Sequence, residues 1–156
     1  MAPTRLVCVA LLAACSRTPT PPALVDNDIK LGLALLRSPD DPIRTDPDRA
    51  HLHDIVESAV IRNHTGLVLC MAAKELRNVD VIVVGRIGPS GAATMQGLVR
   101  KLDQGEAAPP ERDGNVTECV RKELGASPFA GVDKHAFNGA DSALVVFRPL
   151  RLGRAP

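Results

Sequence analysis

Gly88-Pro89-Ser90-Gly91 is where a serine nucleophile would first be sought in this chain. A nucleophile elbow sets its serine between glycines two residues away on each side, at a strand-to-helix junction. Two strand-like stretches flank this segment instead, so Ser90 reads as a turn residue and no catalytic residue is assigned. His51 and His53, with Asp54 and Glu57 close by, offer metal-ligand chemistry. Residues two apart on a helix point to different faces, and neither an H-E-x-x-H nor a paired C-x-x-C occurs. A solvated helix start is the simpler reading, with no metal and no cofactor expected. His64 reads as a polar helix residue without a nucleophile to serve.

Cysteine chemistry is better specified. Arg5 precedes an unbroken apolar run, Leu6 to Ala14, too short to span a bilayer and suited to the h-region of a secretory signal. Cys15 follows Leu12-Ala13-Ala14 directly, an arrangement similar to a bacterial lipobox, in which the thiol is diacylated and the chain is cut before it. The competing reading is an ordinary cleaved signal in which Cys15 has no special role. On the lipobox reading residues 1–14 are a lipoprotein signal peptide and Cys15 is the lipidation site. Cys8 leaves with the signal, so Cys70 and Cys119 remain. In an oxidising compartment two thiols form a natural disulfide pair, which would stabilise the fold by roughly 4 kcal/mol on the chain-entropy model. Two separate buried thiols acting as small hydrophobes are the alternative.

Charge and composition narrow the partners. Removing Arg5 with the signal leaves 18 basic residues against 18 acidic ones. A neutral chain without a basic cluster has no electrostatic footprint for nucleic acid. Trp and Tyr are absent, and the three phenylalanines, Phe129, Phe137 and Phe147, fall near the C-terminus. The core must therefore come from Val, Leu, Ile and Ala.

The elements that would position these groups follow from periodicity and punctuation. Residues 15–25 hold the lipidated cysteine and a Pro- and Thr-rich tether, whose Ser16–Ala23 stretch reaches some 25 Å at about 3.1 Å per residue. Residues 26–46 form an extended or irregular lead-in. Within it Asp28–Leu36 alternates as a strand through Ile29, Leu31, Leu33 and Leu35, although Ile29, Leu33 and Leu36 also suit a helix; the strand is favoured. Asp46 can cap a helix that starts at Pro47 and runs to about Leu76, weakened midway by Gly66. Val79–Ile87 and about Ala92–Leu102 read as a hairpin, Gln104–Gly114 as a polar loop, and Val116–Leu124 as a short helix ended by Gly125. Ser142–Leu150 is the last strand. Pro149 cannot donate a ladder hydrogen bond, which places this strand at an edge or interrupts it there.

Several local words, in order, resemble the TonB C-terminal-like domains of myxobacterial gliding-motility proteins. Val60-Ile61-Arg62-Asn63-His64 with Gly66 and Cys70 is similar to that family's first-helix motif, and Ile87-Gly88-Pro89-Ser90-Gly91 to its hairpin turn. Thr117-Glu118-Cys119-Val120-Arg121 followed by Phe129 resembles the second helix, and Val145-Val146-Phe147-Arg148-Pro149-Leu150 the final strand. The chain departs from the pattern at Met71, where the family has an aromatic, at Asn78-Val79, where a glycine is common, and in the loop after Phe129. The resemblance implies an α+β domain over 47–153, two helices packed on a small three-stranded antiparallel sheet, with Cys70 and Cys119 bridging the helices.

The resulting expectation is a non-enzymatic, lipid-anchored envelope protein on the periplasmic face of the outer membrane. Its partners would be the membrane, through the anchor, and an envelope protein that adds a strand, as a scaffold or interaction component of a motility or TonB-like assembly. Ser142, Leu144, Val146 and Arg148 would form the interaction edge. The alternative is a periplasmic module binding a small ligand or peptidoglycan.

Overall fold

The computed structural model describes residues 19–36, 41–47, 49–73, 76, 78–105, 108–125 and 129–152, the last three by main chain alone. Residues 1–18, on which the expected signal peptide, the lipidation site Cys15 and the start of the expected tether fall, lie outside the described residues. In chain order the elements are α1 (Asp26–Leu35), β1 (Ile43–Asp46), α2 (Ala50–Arg62), α3 (His64–Ala73), β2 (Val79–Ile87), β3 (Ala93–Lys101), β4 (Glu111–Arg112), α4 (Gly114–Leu124) and β5 (Ala143–Leu152). The class is α+β, but with four helices and a five-stranded antiparallel sheet of order β1-β5-β2-β3-β4. No described helix is long and apolar enough to cross a membrane.

The β-branched run of β2 makes the spine of the sheet, paired along its full length with β3 and on its other side with β5. Side chains of a strand alternate between faces. Val79, Val81, Val83 and Ile87 therefore meet α2, α3 and α4 in the larger core, with Leu52, Leu67, Met71, Val120, Phe129, Phe137 and Phe147. Ile82 and Val84 face the other way. With Leu98, Leu144 and Val146 they form a second, smaller core under Leu24, Ile29, Leu33 and Leu36. The sheet is thus covered on both faces, the second by α1 alone among the described residues.

Three expectations need correction. The lead-in is not irregular: Asp28–Leu36 lies mostly in α1, and Gly32 lets that helix approach until a Cβ there would sit 2.7 Å from Val84 Cγ1. The expected single helix over 47–76 is two. It starts after Arg49 rather than at Pro47, and it breaks at Asn63, whose Nδ2 donates back to Ala59 O at 2.8 Å. Asp46 ends β1 instead of capping; Thr45 Oγ1 accepts the Arg49 N–H at 2.9 Å and so serves the start of α2.

Candidate functional site

Strand β5 is paired on both sides from Leu144 to Phe147. β1 pairs with it from Ile43 opposite Phe147 to Asp46 opposite Leu144, and the Arg148 N–H donates to Pro42 O at 2.9 Å. β2 holds its other side. The four residues expected to form the interaction edge are accordingly structural. Leu144 and Val146 are buried beneath α1. Ser142 Oγ accepts from Arg86 Nη1 at 3.1 Å, and Arg148 Nε lies 3.4 Å from the buried Asp80 carboxylate, which also pairs with Arg100. Pro149 is tolerated inside the sheet because β5 bulges there. Val81 pairs with Leu150 and Val83 with Phe147, so two residues oppose Ile82 alone.

Cys70 of α3 and Cys119 of α4 come to disulfide distance, their Cα atoms 5.8 Å apart. The pair ties the two helices beneath the sheet. Gly66, one turn earlier on α3, leaves room for Glu123, whose Oε2 a Cβ would meet at 2.0 Å.

Ser90 lies exposed in the β2–β3 turn, where its Oγ accepts the Ala92 N–H at 3.3 Å. Gly91 is required beside it: its φ is +80°, and a Cβ would stand 2.6 Å from Phe129 O. The two histidines separate as expected. His51 Nε2 accepts from the Asp133 N–H at 3.4 Å, whereas His53, Asp54 and Glu57 bring their donor atoms within 4.8 Å of one another. Three such donors would fill three of the four positions of a tetrahedral site, and they lie on one turn near the start of α2, with Asp54 exposed.

Among the described residues β1 forms one outer edge of the sheet, and on the far side β3 is left partly uncovered. β4 is two residues long and covers only Leu98 and Val99 of β3. Gly97 turns its main chain outwards, donating to Thr117 Oγ1 at 2.7 Å and accepting from Asp113 N at 3.0 Å. Because an antiparallel ladder alternates, the N–H and C=O groups of Ala93 and Met95 also point away from β2. α4 runs alongside. Asp113 caps it by accepting the Val116 N–H at 2.9 Å, and Thr117 pins its first turn to β3. Between edge and helix lies a cleft of about 200 Å³, lined mainly by Ala93, Met95, Thr117, Val120, Arg121 and Leu124. Arg121 carries a raised pKa because Glu118 hydrogen-bonds its guanidinium at 2.6 and 2.9 Å.

Sequence reasoning did not single out Gly97, and it met Thr117 only as the first residue of the second-helix motif. The signal was a glycine inside a strand, which marks a close backbone approach. A Cβ at Gly97 would meet Val116 Cγ1 at 2.5 Å and Thr117 N at 2.7 Å. A second, more polar cavity of about 460 Å³ lies at the opposite end of β3, where Asn78, Lys101, Asp103 and Glu111 surround apolar surface from Val79 and Val99.

Comparison with known proteins gives no match to a family model, to a curated protein or to a solved structure.

Proposed function

We propose that this chain is a lipid-anchored envelope protein that binds a partner protein by accepting an extended segment as a new strand on β3. The observation that carries this reading is the outward main chain at Ala93 and Met95, to which no described strand pairs, set beside an apolar cleft against α4. Strand addition draws affinity from main-chain hydrogen bonds and selectivity from pockets for alternate side chains. Both parts lie together here. The anchor rests on Arg5, the apolar run and Cys15, and the outer-membrane location on Ser16 directly after it, since in the lipoproteins this start resembles a residue other than Asp there usually directs the protein outwards. The resemblance to TonB C-terminal-like domains adds weight through the order helix, hairpin, helix, strand and through the cysteine pair between two helices. On this reading the chain is not an enzyme, and Ser90, whose Oγ accepts the Ala92 N–H, serves its own turn.

Proline scanning of the edge tests the proposal. Met95→Pro removes an outward N–H without touching the β2–β3 ladder, so the fold should survive and partner capture should fall at least tenfold. Capture unchanged in Met95→Pro, with wild-type circular dichroism, would exclude this edge.

The polar cavity at the other end of β3 favours a second reading, a module for a small ligand or peptidoglycan fragment. Its volume falls within the range of about 300–1,000 Å³ usual for ligand sites. Chemical-shift changes at Lys101 and Asp103 on adding soluble muropeptides would support it; none at millimolar concentration would remove it.

A further inference from the structure

We propose that α1 is a releasable strap, a helix that opens as a unit from the sheet while the rest of the fold stays closed, baring Ile82, Val84, Leu98, Leu144 and Val146. The two hydrophobic cores are separate clusters on opposite faces of one sheet. Lifting α1 dissolves only the smaller one. The larger core, with the Cys70–Cys119 tie, and the ladders of β2 with β3 and β5 do not depend on it.

α1 is also weak as a helix in its own right. Ten residues are too few for a stable isolated helix, its N-cap is Val25, and no basic residue stands in its last turn. Beside its apolar contacts with the smaller core, its docking includes one polar latch. Asp28, 3% exposed, accepts from Arg86 Nε at 2.9 Å and Nη2 at 2.7 Å, and its Oδ2 also accepts the Val25 N–H at 3.0 Å. One carboxylate therefore holds the helix to β2 and closes its first turn. Asp26 adds an exposed ion pair to Arg112. When α1 leaves, Arg86 keeps Ser142 Oγ, so the sheet does not lose every partner of that cation.

The strap is the first element the chain enters after the tether, and Pro22 lies against the Gly88 turn at its start. Load from upstream passes the Pro22 contact with the Gly88 turn and then meets α1. If the lipid-anchor reading holds, that load is tension between membrane and domain; the opening itself does not depend on that reading. Local openings of this kind, in units with few buried contacts, are a general property of folded chains.

Hydrogen exchange of the purified protein at neutral pH tests the strap. Amides of α1 should exchange about 100-fold faster than those of Ile82 to Val84, the expected signature of sub-global opening. Asp28→Asn should raise α1 exchange about tenfold further and leave β2 unchanged. A Gly32→Cys/Val84→Cys pair suits a lock, because a Cβ on Gly32 would lie 3.6 Å from Val84 Cβ. Once oxidised, it should bring α1 down to the β2 rate, with reduction restoring the difference. Exchange of α1 and β2 at one common rate in the wild type, shifted together by Asp28→Asn, would overturn the proposal. Asp28→Asn needs no new bond, so the test stands even if the double-cysteine variant does not fold.

Discussion

Thr117 Oγ1 accepts the Gly97 N–H at 2.7 Å and donates to Asp113 O at 3.0 Å, so a single hydroxyl fixes where α4 meets the edge of β3. Everything proposed about the cleft depends on this contact. It ends the paired part of the edge and sets the distance at which the helix runs beside Ala93 and Met95.

Gly97→Ala should be costly for that reason. The new methyl group meets both Val116 Cγ1 and a main-chain nitrogen, and backbone yields less readily than a side-chain end. A loss of about 1–3 kcal/mol is expected from such overpacking, read as a lower urea midpoint at unchanged slope. Thr117→Val keeps the shape and removes the acceptor, leaving Gly97 N–H without its partner at a cost of about 1–3 kcal/mol.

The cysteine pair gives a separate prediction. Intact mass under non-reducing conditions should show no free thiol at Cys70 or Cys119, and the double Cys→Ser variant should lose roughly 2–4 kcal/mol while keeping its far-ultraviolet spectrum. Two alkylatable thiols in the oxidised protein would contradict the pairing.

Acid should release α1 later than an ordinary carboxylate would allow. Hydrogen bonds from Arg86, foremost, and from Val25 lower the Asp28 pKa below its ordinary 3.8 against the opposing effect of burial. Arg86 faces it from β2, Ser142 hydrogen-bonds that guanidinium, and the Asp46 carboxylate at the end of β1 helps hold it cationic. A lowered folded-state pKa contributes stability that is present above 3.8 and lost as pH falls through the folded value. Exchange protection of α1 should therefore hold from pH 7 to pH 4, within about a factor of two after correction for intrinsic rates, and collapse below that. In Asp28→Asn the acid-dependent part should vanish.

Much of the fold was legible where local signals agree with tertiary demands. Val79–Ile87 was readable because a β-branched run buried on both faces needs no further information. α4 was readable up to its end at Gly125, whose φ of +78° suits glycine. α1 was misread because its leucines satisfy both periods, and what decides between them is the approach of Gly32 to Val84, a contact 52 residues apart. β1 was missed because four residues between prolines make a strand only when β5 is there to pair with. Pro149 carried two readings, an edge or an interruption, and the structure has the interruption, a bulge opposite Ile82, while β1 pairs with the first half of the strand. The cleft itself left one trace in the sequence, a glycine inside a strand.

The most direct test of the account is photo-crosslinking in the native envelope with a probe at Met95, and in parallel at Leu144. The account predicts a discrete protein adduct from Met95, lost when the probe-bearing chain also carries Ala93→Pro, and none from Leu144 beneath α1. An adduct from Leu144 with none from Met95 would contradict it and return the docking edge to β5.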